Sequence, residues 1–193
     1  GVTGSADFPT SSGAFQDTLN KGNGLNFNIF HFNEGIDIIV AKLNPSGTNL
    51  LASTYVGGSS IDGANRRILY NYGDETRGEV VVDAQDNIYI ASNTESADFP
   101  GLPATTTIGG NSDAVIFKLN SSMTNLAWAN LYGGSGNETG FSLKIRNGQL
   151  WLGGGTTSND LPGTSTGVVT GFQGQVDGYI ARFSSVTGGF QRA

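Results

Sequence analysis

Short apolar runs rich in Ile, Val, Leu, Phe and Tyr recur between glycines and polar clusters along the whole chain. That pattern belongs to many short strands joined by tight turns. No segment sustains a 3.6-residue apolar period over three turns, so almost no helix is expected. The most complete stretch reads as four strands: Glu79 to Asp83, Asn87 to Asn93, Asp113 to Asn120 and Asn125 to Tyr132. Asp83-Ala84-Gln85-Asp86-Asn87 joins the first two, and Asn120-Ser121-Ser122-Met123-Thr124 joins the last two. Asp and Asn side chains bind nearby backbone N–H groups, which is why they favour such turns. Further on, Gly140 to Arg146 and Gln149 to Gly153 flank Asn147-Gly148, a pair suited to the left-handed backbone of a hairpin turn. Strands such as Ile38 to Leu43 are apolar on both faces, so their sheets must lie between neighbours.

The pattern repeats. Ala6-Asp7-Phe8-Pro9 returns as Ala97-Asp98-Phe99-Pro100 and, weakened, as Asn159-Asp160-Leu161-Pro162. Asp37-Ile38-Ile39-Val40-Ala41-Lys42-Leu43-Asn44 returns from Asp113 to Asn120 and again from Asp177 to Ser184, while Gly57-Gly58 returns as Gly133-Gly134. The spacings locate two insertions. Asp7 to Asp37 is 30 residues where Asp98 to Asp113 is 15, and Gly58 to Asp98 is 40 where Gly134 to Asp160 is 26. The basic unit is thus a little over about 60 residues, too long for one coil of a β-solenoid and right for a four-stranded blade. We expect an all-β chain of four-stranded antiparallel sheets stacked as β-propeller blades. About three repeats occupy roughly residues 1–58, 59–134 and 135–193, with insertions at about 20–34 and 65–78. Propellers need about 4–8 blades to close, so the expectation is part of a larger propeller, completed by further chain or by association.

Asp7-Phe8-Pro9-Thr10 through Gln16, followed by Asp37 to Gly47, resembles the SBBP-type β-propeller repeat. So do Ser53-Thr54-Tyr55-Val56-Gly57-Gly58 and Val82 to Ile90. The likeness covers nearly the whole chain and weakens after Gly171. It implies a propeller scaffold in a bacterial exported or cell-surface protein, including cargo of the type IX secretion kind, and it carries no catalytic residues to transfer.

Composition narrows the partners. Ten Lys and Arg against 16 Asp and Glu give a net charge of −6, which argues against a nucleic-acid partner, since such binding needs a basic face to displace counterions. Charged residues are only 13%, leaving Ser, Thr, Asn and Gly to cover the surface. The absence of Cys removes disulfides and thiolate metal sites, which fits a reducing cytosol or a bacterial surface protein without cross-links. No run approaches the ~20 apolar residues of a membrane span. The chain opens on Gly1-Val2-Thr3-Gly4 with no Met and no signal peptide, and is read as a processed or partial chain.

The insertions carry the candidate chemistry. With strands counted outward from the propeller axis, the links from strand two to three and from strand four to the next blade emerge on one face. Both insertions lie in such links, in adjacent blades, and should stand side by side there. The first holds Phe27, Phe30, His31 and Phe32; the second holds Arg66, Arg67, Tyr70 and Tyr72. Aromatic and Arg side chains anchor protein interfaces and sugar platforms, so these eight residues are the candidate site for a protein or glycan partner. The plainer reading is a small hairpin or flap whose aromatics pack on the propeller edge. His31 is the only histidine, and packing is its expected role.

Asp7, Asp98 and Asp160 are expected to shape turns, and Asp37, Asp113 and Asp177 to do the same at strand starts. Asp83-x-x-Asp86-Asn87 faintly resembles a calcium loop but lacks the following Gly and the distant Glu, so a β-turn is expected and no metal or other cofactor is assigned. Gly153-Gly154-Gly155 lacks the helix of a phosphate cradle. The module is therefore read as non-catalytic, with adhesion, binding or a structural role. The alternative is a propeller-fold glycan-active enzyme, a hydrolase or lyase, with Glu34, Asp62, Asp74 and Glu75 as its candidate carboxylates.

Overall fold

A computed structural model describes residues 1–22, 24–27, 30–68, 74–167 and 171–193, with backbone alone at 25, 27, 30 and 74. The chain is all-β. Its strands are β1 (Val2–Thr3), β2 (Leu25–Phe27), β3 (Phe30–Phe32), β4 (Asp37–Leu43), β5 (Leu50–Val56), β6 (Glu79–Val82) and β7 (Ile88–Thr94). They continue as β8 (Asp113–Leu119), β9 (Leu126–Tyr132), β10 (Glu138–Arg146), β11 (Gln149–Thr156), β12 (Asp177–Ser184) and β13 (Phe190–Arg192). Helix is confined, among the described residues, to single 3-10 turns at Asp74–Thr76 and Thr164–Thr166.

Three antiparallel sheets form, in the orders β1-β4-β5, β6-β7-β8-β9 and β10-β11-β12-β13, with β2-β3 as a separate hairpin. The pairs β4-β5, β6-β7, β8-β9, β10-β11 and β12-β13 are joined by turns of two to six residues that carry the required chemistry, while β7-β8 and β11-β12 are joined by the long links 95–112 and 157–176. Asn147 and Gly148 both adopt positive φ (51° and 72°), the paired left-handed geometry that a two-residue hairpin turn demands. Asn44 Oδ1 accepts from the N–H groups of Thr48 and Asn49 at 2.8 and 3.1 Å, and Asn120 does the same with Thr124 and Asn125 at 2.9 and 3.1 Å.

The repeat extends to irregularities. A bulge interrupts the pairing between Lys42 and Leu43, between Lys118 and Leu119, and between Arg182 and Phe183. Bulges raise the local twist, so three sheets bulged at one equivalent place share a curvature and can nest.

Face-to-face packing supplies the core. Ile38, Val40, Ala52 and Val56 of the first sheet meet Ile88, Ile90, Val115, Phe117 and Leu119 of the second. Across its other face the second sheet packs Tyr89, Ala91, Ala114 and Ile116 against Leu143, Leu150, Leu152, Tyr179, Ala181 and Phe183 of the third. Every residue of β7 is buried, since apolar neighbours cover both faces. At about 1.5–3 kcal/mol per fully buried large side chain, these two layers are the main source of stability.

The first sheet departs from the four-stranded expectation. β1 holds the place that β7 and β11 hold elsewhere, pairing only Val2 with Ile38 and Thr3 with Asp37, and no described strand takes the place of β6 or β10. Its strand β4 is buried at Asp37 and Ile38 but exposed at Ala41 and Leu43, so it is covered on one side only. The expectation of burial on both faces holds for the middle sheet and fails here, because among the described residues no second sheet lies on that side.

Registers place the strand ends consistently. Links 4–36, 57–78, 95–112, 133–137 and 157–176 leave from one edge of the stack, and all the short turns lie at the opposite edge.

Candidate functional site

Both insertions leave from the link-bearing edge. In the first, β2 and β3 pair Leu25 with Phe32, Asn26 with His31 and Phe27 with Phe30. His31 is exposed, and its Nδ1–H donates to Asn26 Oδ1 at 2.8 Å. Phe32 packs against the small cluster of Ile36, Ile61 and Ala64. The side chains of Phe27 and Phe30 lie outside the described residues.

Ala64 is the root of the second insertion, so this cluster fastens the two insertions together at their bases. The second is also closed on itself. Asn65 N–H donates to Glu75 O at 2.8 Å, and Asn65 Oδ1 accepts from the N–H groups of Arg67 and Ile68 at 3.1 and 3.0 Å. Ile68 is buried against Gly155 of β11, where a Cβ would stand 3.0 Å from its Cγ2. Arg77 lies over the Phe141 ring, 5.1 Å from its centre. The described ends of the second insertion are thus anchored across the third sheet.

The candidate residues divide accordingly. Arg66 is engaged within the chain, its Nε 3.0 Å from Glu95 Oε1 and its Nη2 on Glu95 Oε2. Phe32 serves packing. His31 and Arg67 are the described candidates that face solvent. Tyr70 and Tyr72 lie outside the described residues.

Beneath this edge runs a second arrangement, repeated from sheet to sheet. Asp62 Oδ2 accepts from Gly58 N–H at 2.8 Å and Ser96 Oγ at 2.9 Å, and its Oδ1 accepts from Thr94 Oγ1. Glu138 repeats the set with Gly134 N–H at 2.8 Å and with Thr156 and Ser158 hydroxyls at 2.6 Å each. Asp98 and Asp160 accept from Ser59 and Ser135 N–H at 2.9 and 2.8 Å. Each of these two acids therefore holds the link entering its own sheet, a turn-shaping role of the kind expected for them. Phe99 follows Asp98 into the first core layer and lies 5.6 Å from Phe117.

Asp37 and Asp113, each opening a strand, face Asp62 and Glu138 across Gly57 and Gly133. A Cβ on Gly57 would come within 2.3 Å of Asp37 Oδ1, and one on Gly133 within 2.2 Å of Asp113 Oδ1. Both Oδ1 atoms are buried with no hydrogen-bond donor. Burial pushes Asp37 up to about 6, against the bonds from Asn20 and Gln16 that pull it down. Burial likewise lifts Asp62 to about 7, outweighing the donors from Thr94, Gly58 and Ser96, with Asp37 adding repulsion. Asp113 rises to about 7 by burial, opposed by Gly109 N–H and reinforced by Glu138. Raised carboxyls often mark active sites, but here they sit between sheets and hold links.

Other candidates resolve locally. Asp83 Oδ1 accepts from Gln85 and Asn87 N–H, and Oδ2 from Asn87 Nδ2 and Tyr89 OH, all at 2.9 Å. Burial pushes this carboxyl up, but those bonds outweigh it and hold it below the usual range. Among the described residues no group of three or more His, Asp or Glu converges as metal ligands. Glu34 pairs with Lys21 at 2.7 Å in the open, far in character from enclosed Asp62. The Gly153-Gly154-Gly155 run serves close packing: a Cβ on Gly154 would meet Thr139 O at 2.0 Å and the Tyr179 hydroxyl at 2.5 Å. Among the described residues no helix is long and apolar enough to cross a membrane.

One feature has no counterpart among the candidates. The outer face of the third sheet carries an open cavity of about 730 Å³ lined in part by Trp151, Leu161, Phe172, Tyr179, Ile180 and Arg182. Its signal was present in the apolar alternation of β11 and β12, which leaves Trp151 and Ile180 on the side away from the core. Neither a known protein family nor a curated protein matches the chain.

Proposed function

We propose that the chain is a β-propeller segment of the SBBP-repeat kind, exported or displayed on a bacterial surface, whose link-bearing edge recognises a protein or a glycan without catalysis. One observation carries this reading: two insertions converge on one edge of a rigid sheet stack, joined at Phe32, Ile61 and Ala64, with His31 and Arg67 left facing solvent. Loops held by a rigid scaffold lose little entropy on binding, and such loops are where recognition concentrates. The blade reading is supported by two successive face-to-face layers, by bulges at equivalent places, and by the carboxylate-held links. The exported setting rests on the sequence resemblance and suits a Cys-free, weakly charged chain.

A glycan array and a panel of purified bacterial surface proteins would test it, with wild type compared against His31→Ala/Arg67→Ala. Binding by the wild type is expected to weaken about tenfold or more in the double variant, the scale of losing one well-placed anchor. The melting temperature should not move, since both side chains are exposed. Absence of any ligand in both screens, or equal binding by the double variant, overturns the reading.

A further inference from the structure

The outer face of the third sheet matches a face that the molecule elsewhere covers. The register pairs Trp151 with Arg182 across β11 and β12, as it pairs Tyr89 with Lys118 across β7 and β8. Each cation lies over its ring, Lys118 Nζ at 4.9 Å and Arg182 Cζ at 5.7 Å. Ile180 likewise holds the place of Ile116. The middle sheet buries this face under the third, leaving Tyr89 2% and Ile116 1% exposed, whereas Trp151 and Ile180 are 42% and 67% exposed. Arg182 Nε is also enclosed there without an acceptor.

The first sheet presents the opposite half of the same contact. Leu43 and Leu50 pair across β4 and β5 as Leu119 and Leu126 pair across β8 and β9. Leu119 is fully buried against the neighbouring sheet, while Leu43 is 54% exposed. The two open faces are therefore the two halves of an interface that this chain forms twice within itself.

We infer that a second copy of this chain docks head to tail, the outer face of its first sheet filling the cavity on the outer face of the third, and that two copies close a ring of six sheets. Face-to-tail contacts close when their rotation completes a circle, and six lies within the range of 4–8 sheets that stacked-blade rings adopt. Closure leaves neither apolar face in water. The inference rests on the blade reading above, not on what the loops bind.

Light scattering coupled to size-exclusion chromatography of the purified chain at micromolar concentration tests it. A discrete species of twice 20.1 kDa is expected for the wild type. Ile180→Lys on one face and Leu43→Glu on the other should each give a monomer with an unchanged far-UV spectrum, because both side chains are exposed in the single copy. A wild-type monomer, or an open polymer that grows with concentration, overturns the proposal. So does a dimer that survives both variants, or one lost with only one of them, which marks a same-face contact. A monomer that still binds ligand through its loops removes the ring and leaves the recognition reading standing.

Discussion

Single residues settle the polar interior. The acids that open strands were visible in the sequence as a repeated Asp37, Asp113 and Asp177, and their turn-holding part could be read there. Their facing partners were harder to see, since Asp62 and Glu138 differ in type. The signal was Gly-Gly-Ser with an acid five residues after the first Gly, at 57–62 and again at 133–138. Spacing alone cannot say that two carboxyls meet across a glycine; that takes the sheet-to-sheet packing. The consequence is measurable. Folded-state values near 6 to 7 lie above the unfolded value of 3.8, so the folded chain binds more protons between about pH 4 and 7. Stability must fall as pH rises through that window. We expect the melting temperature to drop by roughly 5 °C between pH 5.5 and 8, and Asp113→Asn to flatten the slope. A melting temperature that climbs over the same interval contradicts these assignments.

At the level of elements, turn chemistry made the strands legible to within about two residues at most ends, as for Asn87 to Asn93 against Ile88–Thr94. The third copy was less clear. β13 escaped because Phe190–Arg192 is a three-residue exposed strand in the stretch where the repeat has faded. The anchor of the second insertion escaped for another reason: Ile68 is buried by a residue far along the chain, Gly155, and no local pattern encodes that. Met123 shows how an element absorbs a local cost. It takes the position of Gly47 with φ of 57°, and its side chain is fully buried in the first core layer in exchange. The turn around it leans on Asn120, so Asn120→Ala should cost about 0.5–1.5 kcal/mol by removing the acceptor shared by the exposed Thr124 and Asn125 N–H groups. Urea denaturation would report it as a lower midpoint at constant slope, and an unshifted midpoint would show that water replaces the side chain freely.

For the whole molecule, the repeat gave the number of sheets and their four-strand plan, and the first sheet broke it where β1 is two residues long. The sheets should unfold together, because β10 packs directly on β6, β7 and β8. Phe183→Ala, emptying a site that also touches Tyr132 and Phe190, is expected to cost about 3–5 kcal/mol. Far-UV ellipticity and tryptophan fluorescence should still report one coincident transition; two separated transitions would mean that the layers are independent units. The division of links and turns between opposite edges gives the stack a built-in handle for engineering. One rim spans lengths from five to thirty-three residues, while the other never exceeds six. Foreign peptides spliced into the plain 95–112 link would emerge on the rim that carries the natural insertions, on a display scaffold whose far rim need not adjust.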